Sequence, residues 1–142
     1  MRKLILALAL AGAPAIASAA AVMHRDPGCG CCEKWAAQVK AALGRPLKVV
    51  DDSNRAALQK KLGISPTLQS CHTAIIDGIA FEGHVPIEDM KRILAAKPKG
   101  VTGLAVGGMP LGSPGMEVLG QKPQPFVVYS FGAAGQKIYA RH

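Results

Sequence analysis

The chain has 142 residues, 49% hydrophobic, only 4% aromatic and 18% charged, with a formal net charge of +8. The cations are dispersed, and the densest clusters, Lys60-Lys61 and Lys91-Arg92, fall in segments that read as helices. Without a basic stripe interleaved with stacking residues, this is a solvated basic surface, and nucleic acid is excluded as the expected partner.

Residues 1–19 read as an export signal. Met1-Arg2-Lys3 is a positive start, Leu4 to Ile16 is almost unbroken apolar sequence, and Ala17-Ser18-Ala19 is a small-x-small cleavage site. The mature chain is expected to begin near Ala20, and losing Arg2 and Lys3 brings the formal charge to +6. The apolar run falls short of the about 20 residues that span a bilayer, and no later segment is longer. The expectation is one periplasmic domain, residues 20–142, with no stable membrane insertion after signal cleavage.

Ala20 to Arg25 reads as a first strand, ending at the turn Asp26-Pro27-Gly28. From Cys31 to Leu43 the pattern is helical, with Trp35, Val39 and Leu43 recurring on one face and Gly44 as the stop. Leu47-Lys48-Val49-Val50 is a second strand. Asp51-Asp52-Ser53-Asn54 offers N-caps for a helix running through Leu62 to Gly63. Ile64 to Thr67 reads as a loop and Thr73 to Ile76 as a buried strand. Asp77-Gly78 is a two-residue hairpin signal with Ile79-Ala80-Phe81 returning. Pro86 suits the first turn of a helix that buries Ile87, Met90, Ile93 and Leu94. Gly100 to Gly120, rich in glycine and too apolar for an ordinary linker, reads as one long loop, which at that length is usually functional or disordered. A final hairpin is expected over Pro125 to Phe131 and Gly135 to Arg141. The order β-α-β-α then β-β-α predicts an α/β, thioredoxin-like fold with a Gly-rich loop and a C-terminal β-hairpin.

The chemistry lies in four cysteines. Cys29-Gly30-Cys31-Cys32 sits at the start of the first helix, and Cys71 precedes the third strand in Ser70-Cys71-His72-Thr73. Cys29 and Cys32 form a Cys-x-x-Cys pair where unpaired helix N–H groups favour thiolate, which suits redox-active cysteines of a thiol–disulfide oxidoreductase. Cys31 complicates that reading, since a third thiolate can collapse the pair into mixed bridges. A soft-metal site gains from it. In thioredoxin-like folds the loop before the third strand lies against the redox motif, which would bring Cys71, and with it His72, to the other three. Four sulfurs around one point suit Cu(I) or zinc, and adjacent Cys31-Cys32 is better placed to bridge several copper ions than to chelate one tetrahedral ion. The plain structural alternative is two disulfides, such as Cys29–Cys32 and Cys31–Cys71; it explains the count but not the clustering.

Met109 and Met116, in the Gly-rich loop, are soft thioether candidates that equally suit apolar gaps. His84, before the third helix, is a weaker candidate. His24 can point either way, His142 is terminal and expected to be mobile, and Met23 and Met90 read as core. No Ser-His-Asp arrangement, phosphate loop or catalytic carboxylate pair stands out.

Asp26-Pro27-Gly28-Cys29-Gly30-Cys31-Cys32 with Trp35 resembles the first motif of the CopG-like periplasmic copper-resistance family, long catalogued as a domain of unknown function. Ser70-Cys71-His72-Thr73-Ala74, Glu82-Gly83-His84-Val85-Pro86 and Gly108-Met109-Pro110-Leu111-Gly112-Ser113-Pro114-Gly115-Met116 resemble its later motifs, so the likeness spans nearly the whole mature chain. His24 departs from the pattern. The resemblance implies a thioredoxin-like fold and a cysteine-bridged, multinuclear Cu(I) site. Its core ligands would be Cys29, Cys31, Cys32 and Cys71, with His72, His84, Met109 and Met116 as outer candidates. It also implies work beside copper-efflux components of the envelope and interconversion of Cu(I) and Cu(II).

Overall fold

The computed structural model describes residues 20–142; the expected signal at residues 1–19 lies outside the described residues. Among the described residues seven strands form one mixed sheet, with three α-helices and a short 3-10 turn. In chain order these are β1 (Val22–Arg25), α1 (Gly30–Leu43), β2 (Lys48–Asp51), α2 (Arg55–Leu62), the 3-10 turn Pro66–Leu68, β3 (His72–Ile76), β4 (Ile79–Glu82), α3 (Ile87–Ala96), β5 (Gly103–Ala105), β6 (Val127–Phe131) and β7 (Lys137–Arg141). The sheet order is β2-β1-β3-β4-β5-β6-β7. β1 runs parallel to β2 and antiparallel to β3, whose partner β4 is parallel to β5. The mixed α/β class expected from the sequence is therefore the observed one.

Local signals placed most of these elements. Asp77 and Gly78 carry φ of 50° and 79°, the doubly positive pair of a tight two-residue hairpin, which only a glycine or a short polar residue tolerates cheaply. Arg45 clamps that turn with two bonds to Asp77, at 2.9 and 2.8 Å. α3 buries Met90 and Ile93 completely, and α1 buries Trp35, Ala36 and Val39. These helices pack on one sheet face with Met23, Ala74, Phe81, Leu104 and Val128. The other face holds a smaller cluster of Ile64, Leu68, Ala80, Ala105 and Phe131.

Two expectations need correction. Residues 100–120 are not one uninterrupted loop: Gly103–Ala105 is a fully buried strand between β4 and β6. Three residues give periodicity too little length to register, and the pairing of Gly103 with Ala80 and Phe131 leaves no space for a Cβ. The strand joins the C-terminal hairpin to the main sheet. His142, expected to be mobile, is held: its backbone exchanges two bonds of 3.0 Å with Phe126, its ring stacks on that of Phe126, and Nε2 meets buried Asp89 at 2.8 Å.

Candidate metal centre

Cys29 occupies the N-cap of α1, and its sulfur accepts the N–H of Cys32 at 3.3 Å. The next turn of helix swings Cys31 and Cys32 to the same end. Cys32 is fully buried while Cys29 and Cys31 are half-buried. Cys71 arrives from the opposite side, on the segment entering β3, where its carbonyl accepts the Asp26 N–H at 3.0 Å. Sequence spacing alone could not close this gap of 39 residues between Cys32 and Cys71; the pairing of β1 with β3 does.

The four sulfurs lie within 4.8 Å of one another. Cys29 and Cys32 form a disulfide, while Cys31 and Cys71 are free thiols. Cys31 Sγ is 3.3 Å from Cys29 Sγ, Cys71 Sγ is 3.3 Å from Cys32 Sγ, and Cys31 and Cys71 are 3.9 Å apart. Thiolates sharing one tetrahedral ion with metal–sulfur bonds of about 2.3 Å stand roughly 3.8 Å apart, so Cys31 and Cys71 already have that spacing.

Two histidines complete the cluster on the Cys71 side, where Cys71, His72 and His84 form a second buried group of ligand atoms. His84 Nδ1 lies 2.8 Å from the Pro114 carbonyl, which can only accept, so Nδ1 carries the proton. Its Nε2 lone pair then faces Cys71 Sγ at 3.2 Å. A backbone carbonyl that fixes the tautomer and aims the free nitrogen is the usual support of a metal-binding imidazole. His72 Nδ1 is 3.5 Å from Cys71 Sγ, its ring packs 4.5 Å from Trp35 and 5.0 Å from His84, and its buried Nε2 has no partner. Burial, with the charges of His84 and Arg55, lowers His72 to about 3. Burial also lowers His84, against the pull of the Pro114 carbonyl and Glu117. Both rings are thus neutral near pH 7, the form that binds metal. Burial, then the neighbouring Cys31, pushes the Cys71 thiol up to about 12, so a proton must leave as a metal arrives.

The Gly-rich segment covers this end of the site. Gly115 has φ of +85°, and a Cβ there would stand 2.7 Å from the Cys31 carbonyl and 2.9 Å from the Trp35 nitrogen. Glycine lets the loop lie directly on the start of α1 and hold Pro114 against His84. Met116, in the same loop, is half-buried; Met109 is 52% exposed, next to Gly108, whose N–H bonds the Gln69 carbonyl and whose carbonyl accepts the Ser70 hydroxyl. His24 bonds Asp52 at 3.0 Å and is absent from both ligand groups. A cavity of about 390 Å³ beside α1 is lined by Arg25, Glu33 and Asp51 among others, and by none of the cysteines.

Sequence reasoning missed the support beneath Cys71. Arg55, 7% exposed, bonds Asp26 Oδ1 through Nε at 3.0 Å and Nη2 at 2.9 Å, and donates to the Ser70 carbonyl at 2.7 Å. One cation therefore ties the turn before Cys29 to the peptide before Cys71. Fully buried Glu82 accepts from Gln59 at 2.7 Å, from the Ser70 N–H at 2.8 Å and from the Thr73 hydroxyl, with Arg55 3.8 Å away. The one local clue was Arg55 itself, a cation opening a helix whose dipole disfavours it there.

A partly buried sulfur cluster on a mixed α/β sheet, rimmed by neutral imidazoles, defines a protein with a soft-metal candidate site. Residues 68–116 match the family model described as "Protein of unknown function, DUF411". A solved structure titled "Copper resistance protein copG- Form 1" is 34% identical, covering 88% of this chain and 98% of that one with a TM-score of 0.77. A second, "Copper resistance protein copG- Form 2", is 35% identical, covering 87% and 97%, again with a TM-score of 0.77. No curated protein matches. The chain belongs to the CopG-like copper-resistance family.

Proposed function

We propose that this chain is a periplasmic Cu(I)-binding protein of copper resistance, holding several copper ions in a cluster bridged by Cys29, Cys31, Cys32 and Cys71. The observation that carries the reading is the convergence of four sulfurs within 4.8 Å, with a neutral His84 nitrogen facing Cys71. Thiolates select Cu(I), and the imidazoles of His72, whose Nδ1 lies 3.5 Å from Cys71 Sγ, and His84, whose Nε2 lies 3.2 Å from it, add borderline donors. Met116 and exposed Met109 are proposed as outer thioether ligands. A mixed sulfur and nitrogen set also tolerates Cu(II), so cycling between the two states would make the chain a copper oxidoreductase.

The apolar run and cleavage site at residues 1–19 support export; among the described residues no helix is long and apolar enough to cross a membrane. Partners would be copper ions and copper-efflux components of the envelope. The four-stranded part β2-β1-β3-β4, with α1 after β1 and α3 after β4, supports the thioredoxin-like reading of the fold.

The test is metal content after anaerobic purification with copper supplied. Several Cu(I) per chain, lost on Cys31→Ser, is the expected result. The Cys29–Cys32 disulfide favours a second reading, a thiol–disulfide oxidoreductase working through that pair. A chain that binds no copper but reduces a test disulfide using only Cys29 and Cys32 would establish that reading instead. Because disulfide sulfurs bind copper poorly, the copper reading requires reductant before full loading; equally fast and complete uptake by the oxidised chain refutes this coupling.

A further inference from the structure

The disulfide shares the cluster with two free thiols, and one of them is equipped to attack it. Cys71 Sγ stands 3.3 Å from Cys32 Sγ, within reach of an attacking atom, and because all four sulfurs lie within 4.8 Å of one another it must swing toward the line of the Cys32–Cys29 bond to attack. The His84 lone pair is 3.2 Å from the same thiol, and His84 is oriented by the Pro114 carbonyl at 2.8 Å. A nucleophile, a base within hydrogen-bond reach and a third group orienting that base form an arrangement that can take up the proton of a buried thiol as it attacks. The leaving side is prepared as well. Cys29 Sγ already accepts the Cys32 N–H at 3.3 Å and caps the N-terminus of the 14-residue helix α1, where thiolate is favoured.

We propose that the oxidised chain performs an internal thiol–disulfide exchange in which Cys71 attacks Cys32 and releases Cys29. The Cys71 proton passes to His84 Nε2, a Cys71–Cys32 bond forms, the Cys32–Cys29 bond breaks, and its electron pair leaves on the Cys29 sulfur. The number of disulfides is unchanged and no external oxidant or reductant is consumed. Cys31 is the weaker competitor, although it lies 3.3 Å from Cys29. Its attack would close a bridge across a single residue and release Cys32, which is fully buried, into the core.

The exchange moves the bridge from the surface into the interior. Cys32 is 0% and Cys71 8% exposed, whereas Cys29 and Cys31 are both half-buried. The product therefore presents Cys29 and Cys31 as a free dithiol at the mouth of the site while the chain remains oxidised. Such a pair fits a single soft cation, a partial site with half the thiols of the reduced cluster. The inference concerns the same four cysteines as the copper reading but does not require them to bind copper, so either can fail alone.

The experiment uses the metal-free chain carrying one disulfide, prepared with one equivalent of a thiol oxidant and incubated anaerobically. Samples are quenched with acid, alkylated with N-ethylmaleimide, digested with trypsin without reduction and mapped by mass spectrometry. Trypsin separates residues 26–34, which hold Cys29, Cys31 and Cys32, from residues 62–91, which hold Cys71. A Cys29–Cys32 bridge leaves the two peptides apart; a Cys32–Cys71 bridge joins them, with maleimide on Cys29 and Cys31. The joined pair is expected to grow with time in the native chain, to be absent in Cys71→Ser, and to form roughly tenfold or more slowly in His84→Gln. Far-ultraviolet circular dichroism and retention of the Cys29–Cys32 loop confirm that each variant is folded. If the peptides stay apart at all times, or join only through Cys31, the proposal is wrong. An unchanged rate in His84→Gln removes His84 from it. Copper binding by the fully reduced native chain, measured in parallel, tests the copper reading separately.

Discussion

Replacing Arg55 with methionine separates two ideas about what fixes the metal centre. Met retains the length and apolar stem of Arg55 but removes the cation that bonds Asp26 and the Ser70 carbonyl at 2.7 to 3.0 Å. Asp26, 56% exposed, regains water at little cost. The Ser70 carbonyl loses its donor, and Glu82, with no exposed surface, loses the cation 3.8 Å from its carboxylate. Leaving a buried charge without its partner costs about 3–5 kcal/mol. For a domain of this size that lowers Tm by about 12–20 °C, at about 4 °C per kcal/mol. The control is Asp51→Asn, which breaks a 2.6 Å pair with Arg25 whose carboxylate is 52% exposed, and should cost about 0–1 kcal/mol. Urea denaturation of the reduced, metal-free proteins measures both. Because Arg55 joins the two cysteine-bearing segments, Arg55→Met should also weaken Cu(I) binding in competition with a chromogenic chelator. Equal stability losses in the two variants, or unchanged Cu(I) affinity in a folded Arg55→Met, would refute the clamp argument.

Other outcomes follow from the same geometry. His72 stays neutral in the fold down to about 3, while in the unfolded chain it takes a proton near its ordinary 6.5. Stability of the metal-free chain should therefore be full above that ordinary value and fall as pH drops below it, by about 2 kcal/mol at pH 5, with a flatter profile in His72→Gln. Gly115→Ala should cost about 2–4 kcal/mol, because its Cβ meets backbone atoms of Cys31 and Trp35 at 2.7 and 2.9 Å and its φ is +85°. Gly108→Ala, at φ +67° with open space around it, should cost only about 1 kcal/mol; equal losses in thermal melts would contradict the packing of the loop on α1. Trp35, the single tryptophan, lies 4.5 Å from the His72 ring, so its emission should change during Cu(I) titration and level off at the stoichiometry found by metal analysis.

Much of the element order was legible because its signals are local. The spacing of Trp35 and Val39, the Asp77-Gly78 turn and the Pro86 boundary each act over a few residues, and each segment formed within a residue or two of its expected bounds. β5 was not legible, since three residues carry no periodicity and its existence depends on β4 and β6 beside it. The same holds for Arg55, Gln59, Thr73 and Glu82. Arg55, Gln59 and Glu82 read as ordinary surface residues, and Thr73 as one more position of a buried strand, until β3 and β4 pair Thr73 with Glu82 and α2 lays Arg55 and Gln59 over them.

The sequence by itself determined the mixed α/β class and the placement of Cys29, Cys31 and Cys32 at a helix start, because helix and strand patterns and Cys spacing are written within a few residues. Tertiary structure decided which atoms share the site. It brought Cys71 Sγ to 3.3 Å from Cys32, turned the His84 lone pair toward that thiol and buried His72 between Trp35 and His84. Those contacts cross 12 to 39 residues of chain, and their distances come from strand pairing, burial and a glycine-permitted loop contact that no local pattern encodes.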